Sequence, residues 1–226
     1  MKRKIITTSD GSKTIQIEDW NEQYHSIHGA INEANHVFIK HGLHFFYNEF
    51  LKERKDISIL EIGFGTGLNA FLTAIQAEKM GFNVDYTGVE AFPVVKEEYE
   101  QLNYAKSISE SHSHLFQKLH DVKWEVLSLI TSNFHLEKRQ QFFLDMHDVN
   151  TYDIIYFDAF GARLQPELWT ETMFSLMFKA LKKEGVLVTY SAKGSVRRAM
   201  QQVGFIVERL PGPPGKREML RALKRS

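Results

Sequence analysis

Residues 59–69 read ILEIGFGTGLN. An apolar run breaks at Gly63, Gly65 and Gly67, and a helix-periodic segment follows, the pattern of a buried strand turning into a helix. Without β-carbons, those three positions let a ligand touch the backbone near the positive end of the following helix dipole. The dinucleotide fingerprint Gly-x-Gly-x-x-Gly places its third glycine one residue later. Here the spacing is one shorter, with Asn69 where the helix begins.

Working outward, short apolar runs bounded by turn residues or charges recur at Ile57–Ile62, Val84–Glu90, Asp153–Asp158 and Gly185–Ser191. Each precedes a segment with helical spacing, so the alternation predicts an α/β, Rossmann-like fold around a mainly parallel sheet. Helices are expected over Leu68–Met80, Pro166–Leu181 and Ser195–Val203, and a long aromatic-rich one over Ala34–Lys52. FIVERL (205–210) and EMLRALK (218–224) flank the turn-rich PGPPGK (211–216) and should form a C-terminal antiparallel hairpin. Upstream, Ile15–Ile17 reads as a short strand, and residues 97–150 as helical stretches with a strand near Phe134–Lys138. No repeat or linker marks a boundary, and the simplest division is an N-terminal extension (1–55) packing on a core domain (56–226).

The composition is ordinary for a globular chain of 226 residues, with 43% hydrophobic and 25% charged residues and no cysteine. Disulfides and thiolate metal sites are thereby excluded, and a reducing cytoplasm is the expected home. No secretory leader or run of 18 apolar residues is present, so neither secretion nor a membrane partner is expected. Formal net charge is zero, yet Lys179–Ser226 holds 12 Lys/Arg against 3 Asp/Glu. Such polarity suits a basic face for a polyanion, or simply solvated helix faces. The histidine pairs His25/His28, His41/His44 and His112/His114 lack carboxylates at a recognised ligand spacing, and no metal is expected.

Acidic residues stand at three strand ends. Glu61, two residues before Gly63, is ill suited to a pyrophosphate and well suited to an ammonium. Glu90 closes the next strand, where a carboxylate accepts hydrogen bonds from ribose hydroxyls, a position that fits NAD or S-adenosylmethionine. S-adenosylmethionine carries an ammonium and no phosphate, so Glu61 favours it. The expected cofactor site is therefore Glu61, Gly63, Phe64, Gly65, Thr66, Gly67, Asn69 and Glu90. Asp158 ends a third buried strand, where a carboxylate can orient an attacking amine and take its proton, with Phe160 as an aromatic wall. The residue that holds adenine stays open among Gln141, Asp145 and Asp148.

GFGTGLN (63–69), YFDAFGARLQPELWT (156–170) and TYSAKGSVRRAMQQVGFIVERLPGPPGKREML (189–220), with TSDGSKTIQIEDWNEQYHSIHGAINEANHVFI (8–39), resemble the methyltransferase half of the bifunctional bacterial tRNA wobble-uridine modification family, MnmC. The resemblance implies methyl transfer from S-adenosylmethionine to the amine of 5-aminomethyl-2-thiouridine in tRNA. The fused family also carries a flavin-dependent oxidase that makes this amine; the present chain is too short for both halves and is expected to methylate without oxidising, and whether a separate flavin-dependent oxidase acts upstream stays open. One departure is Phe160-Gly161-Ala162 in place of the family's Phe-Ala-Pro, which should loosen the loop at the target amine. Lys193, Arg197, Arg198, Lys216 and Arg217 are expected to line the cleft mouth and hold tRNA phosphates. Tyr24, His25 and Glu33 either close over the cofactor or serve the core and surface. A small-molecule amine methyltransferase of the same fold and a non-catalytic RNA-binding module are the rival readings, and the three cleft carboxylates argue against the second.

Overall fold

In the computed structural model, which describes residues 2–51 and 54–225, the chain opens with a small antiparallel sheet. Strands β1 (Arg3–Thr7), β2 (Lys13–Ile17) and β3 (Glu22–Gln23) pair in that order, with Ile5 opposite Ile15 and Gln16 opposite Gln23. Only Ile15–Ile17 carries a strand signal in the sequence. Helix α1 (Ala30–Ala34) then winds on with π-helical spacing through Asn35–His44 and Tyr47–Leu51. The expected helix thus starts four residues earlier than Ala34, and its Lys52 end lies outside the described residues. Gly42 lets this long helix sit on the sheet, because a β-carbon there would stand 3.0 Å from Val188 and 3.1 Å from Tyr156.

The core follows as β4 (Asp56–Ile62), α2 (Leu68–Met80), β5 (Asn83–Val89), α3 (Lys96–Tyr99), α4 (Tyr104–Ile108), α5 (Ser113–Asp121), β6 (Ser128–Thr131), β7 (Phe134–Arg139), β8 (Tyr152–Phe157), α6 (Glu171–Ala180), β9 (Leu181–Thr189), α7 (Gly194–Gln202), β10 (Ile206–Pro211) and β11 (Glu218–Leu223). One sheet takes eight of these strands in the order β10-β11-β9-β8-β4-β5-β7-β6. The five from β9 to β7 run parallel, while β6 and the β10–β11 hairpin are antiparallel. The chain steps outward from β4 to β5 and β7, then returns to the other side of β4 with β8. That reversal makes the carboxyl ends of β4 and β8 a topological switch point, the usual crevice for a ligand in an open α/β sheet.

Period-two alternation gives the sheet two apolar faces. Ile59, Tyr86, Tyr156 and Val188 face the long helix, α2 and α5, whereas Leu60, Ile62, Ile155, Phe157 and Leu187 face α6 and α7. β8 is buried along its whole length, as a central strand covered on both faces should be. One helix differs from its sequence pattern. Pro166–Trp169 forms a separate 3-10 turn, and Thr170 turns extended and caps α6 through Oγ1, which accepts from the Met173 N–H at 3.4 Å. Leu181, expected to end that helix, instead begins β9, four residues ahead of the expected strand. Among the described residues, no helix is long and apolar enough to cross a membrane.

Candidate active site

The three alternating glycines all take left-handed backbone angles, with φ of +90° at Gly63, +48° at Gly65 and +72° at Gly67. At Gly63 there is a second constraint: a β-carbon would stand 2.8 Å from the Asp158 carbonyl oxygen. The missing side chain lets the ends of β4 and β8 touch. Gly63 and Phe64 N–H groups both donate to the Val89 carbonyl at 3.0 Å, and the Asp158 N–H donates to Ile62 at 2.9 Å. These bonds gather the carboxyl ends of β4, β5 and β8, and with them Glu61, Glu90 and Asp158, around one cavity of about 880 Å³.

Asn69 joins two of those carboxylates. Its Nδ2 donates to Glu61 Oε1 at 2.8 Å and to Asp158 Oδ2 at 2.9 Å, while Tyr86 donates its hydroxyl to Glu61 Oε2 at 2.8 Å. Two acceptors fix which way the amide faces, and Asn69 Oδ1 is left buried without a partner among the described residues. Burial, and then the Asp158 charge, holds the Glu61 carboxyl well above the usual carboxylate range. Burial followed by Glu33 pushes Asp158 up to about 7. Glu90 is also raised by burial, an effect opposed by the N–H groups of Phe92 at 2.9 Å and Gly65 at 3.1 Å.

The remaining expected residues divide. Thr66 is buried with Oγ1 3.4 Å from the Tyr104 hydroxyl, and the Phe64 ring covers Gly88 beside His120 and Trp124. Phe160 stands edge-on to Trp20 and Tyr24, at centroid distances of 5.8 and 5.1 Å. Of the five expected phosphate contacts, Lys193, Arg198 and Arg217 are exposed, Arg197 is half-buried with Nε unpartnered, and none of these four lines the cavity. Lys216 does line the cavity, but not as a free phosphate contact. Its ammonium turns inward, pairs with Glu33 and lies 3.8 Å from the Tyr190 ring centroid, already neutralised and away from any surface phosphate.

Among the three open positions for adenine, only Asp145 lines the cavity, next to Phe142, Phe143 and Leu144. Asp148 is held by Arg139 and the Tyr152 hydroxyl, each at 3.0 Å. Tyr24, His25 and Glu33 do line the cavity, as do Trp20, Gln165 and Tyr190, which sequence reasoning missed. Burial lowers His25 to about 4, so its ring is neutral, with Nδ1 2.8 Å from Thr14 Oγ1. Trp20 and Tyr190 sit in stretches matching the family pattern, but nothing in their spacing ties them to a site. Glu22, Glu33, Glu61, Glu90, Asp145, Asp158 and Glu167 line the cavity against only Arg3 and Lys216. Burial favours the neutral forms of Glu61, Glu90 and Asp158, and a cation entering the cavity would draw out their charge, whereas a phosphate would oppose it.

A model of an S-adenosyl-L-methionine-dependent methyltransferase family matches residues 140–225. The tRNA 5-methylaminomethyl-2-thiouridine biosynthesis bifunctional protein MnmC of Hydrogenovibrio crunogenus is 28% identical over 231 aligned residues, covering 96% of this chain and 33% of that protein. Its counterpart in Leptospira interrogans is 30% identical over 223, covering 90% and 32%. The crystal structure of MNMC2 from Aquifex aeolicus superposes with a TM-score of 0.76 at 27% identity, over 98% of this chain and 70% of that one. Over nearly its whole length the chain is similar to MnmC proteins. It spans about a third of the length of the MnmC proteins it matches. Spermidine synthase from Thermotoga maritima, at 14% identity and a TM-score of 0.56 over 97% of this chain and 72% of that one, shares the fold. The chain therefore has a Rossmann-like methyltransferase fold, which in this protein ends in the β10–β11 hairpin.

Proposed function

We propose that the chain methylates the aliphatic amine of 5-aminomethyluridine, thiolated or not, at the tRNA wobble position, using S-adenosylmethionine. The observation that carries this reading is the Asn69 clamp, which holds Glu61 and Asp158 side by side at the glycine turn. Bound there, S-adenosylmethionine supplies a methyl group on a sulfonium. The residues present fit it: an ammonium beside Glu61 would favour the ionised form that burial suppresses, the Asn69 Oδ1 without a partner among the described residues accepts from an N–H donor, and Glu90 has lone pairs beyond its two backbone bonds for a ribose diol. Gly63, Gly65 and Gly67, with Phe64 and Thr66, shape the turn that would hold it, and Asp145, which lines the cavity, would hold adenine.

Asp158 then serves the acceptor. An ammonium has no lone pair, so the amine must lose a proton before it attacks. A carboxyl held near 7 can take that proton at neutral pH and keep the nitrogen oriented. Phe160, with Trp20 and Tyr24, supplies an aromatic wall for a planar base. The exposed Lys193, Arg198 and Arg217, with Arg197, are the candidate phosphate contacts in a cytoplasmic encounter with tRNA. The acceptor amine would come from a flavin-dependent oxidase acting upstream. The test is nucleoside mass spectrometry of tRNA bearing 5-aminomethyluridine, incubated with the protein and labelled S-adenosylmethionine. Label on that nucleoside is expected, and its loss by about 10²–10⁴-fold in Asp158→Ala with cofactor binding retained. Label on free amines alone would move the reading to a small-molecule methyltransferase.

A further inference from the structure

We infer that the Glu33 carboxylate and the Tyr190 ring form the receiving site for the acceptor's ammonium, and that Lys216 occupies it as a resident stand-in. This rests on the reading that the acceptor is an amine. The Lys216 Nζ donates to Glu33 Oε1 and lies 3.8 Å from the Tyr190 ring centroid, a carboxylate and an aromatic face converging on one cation. Both walls are fixed. Glu33 Oε2 accepts the Ser26 N–H at 2.9 Å, and the Tyr190 hydroxyl donates to the carbonyl of Ala159 at 2.8 Å, one residue beyond Asp158. The cation site therefore abuts the carboxylate assigned to the proton.

The occupant is the movable part. Glu33 sits on α1 with its side chain 8% exposed, whereas the Lys216 side chain is 30% exposed, on a flexible stem in the turn between β10 and β11. A guest ammonium that displaces Lys216 keeps Glu33 paired and returns the lysine charge to water. A neutral guest of the same shape must instead leave Lys216 in place. Removing one partner of a buried ion pair is costly, so the exchange selects cationic amines over their hydroxyl analogues. Once seated, the ammonium gives one proton to the Asp158 carboxylate and leaves a neutral amine beside it.

Two measurements test this without tRNA or methyl transfer, so failure of the methylation reading leaves them intact. The first is acetic anhydride labelling of wild-type protein, with Lys216 acetylation followed by peptide mass spectrometry. The nucleoside 5-aminomethyluridine should raise the Lys216 labelling rate several-fold, and 5-hydroxymethyluridine should not. The second is calorimetric titration of the same two nucleosides into wild type and Glu33→Gln. The amine should bind wild type at least tenfold more tightly than the alcohol, and that preference should vanish in the variant. Lys216 reactivity that ignores the amine, a wild type without preference, or a preference that survives Glu33→Gln would each overturn the inference.

Discussion

Replacing Asn69 by leucine keeps the side-chain volume and removes the donor shared by Glu61 and Asp158, whose oxygens lie 2.8 and 2.9 Å from Nδ2. Asn69 is 2% exposed, so water cannot readily take its place. Hydrogen bonds to charged groups contribute about 1.5–3 kcal/mol, and 1.36 kcal/mol corresponds to one pH unit. The Asn69 bond lowers the Asp158 carboxyl, which already sits at about 7. Losing it favours the protonated form, and the acid limb of kcat/KM should move up by at least about one pH unit. The amine titrates identically with either enzyme, so the displacement belongs to the protein. At pH 7 the variant should be about five- to tenfold slower, recovering as pH approaches 9. The assay is labelled methyl transfer to tRNA between pH 6 and 9.5 at saturating S-adenosylmethionine, because Asn69 is also assigned to the cofactor, with thermal melts to confirm folding. A loss of equal size at every pH, or an unmoved acid limb, would refute the reasoning.

Three further outcomes are expected. Gly63→Ala forces a non-glycine residue to φ +90° with its β-carbon 2.8 Å from a carbonyl oxygen. It should cost at least about 2 kcal/mol and lower Tm by about 4–8 °C, measured by calorimetry. Because Asp158 rises from 3.8 to about 7 on folding, stability is unaffected below the lower value and is lost as pH climbs through the upper. Asp158→Asn should therefore be more stable than wild type by about 2–4 kcal/mol at pH 8 in urea unfolding, with the gap closing near pH 4. Arg197→Ala with Arg198→Ala should reduce the slope of log tRNA affinity against log salt by about 1 and leave cofactor titration unchanged. Equal slopes would remove this pair from the phosphate surface.

The sequence by itself determined the framework: strand ends at Glu61, Glu90 and Asp158, the glycine turn, and the hairpin from Ile206 to Leu223. Those features are written in short periodicities and turn residues, which act over a few positions and need no distant partner. Even the break at Thr170 is local, yet the apolar spacing runs through it and conceals it. Only the tertiary structure decided what faces the cavity from far along the chain. Trp20 meets Phe160, and Glu33 meets Lys216, 183 residues away. Asn69 likewise shows its role as a clamp only when β4 and β8 lie side by side. Asp145 parts from Asp148 because Arg139 and Tyr152 capture the latter. Periodicity tells which side of an element is buried. Which distant charge it is buried against is set by how the elements pack, and the ionisation of Asp158 depends on that packing.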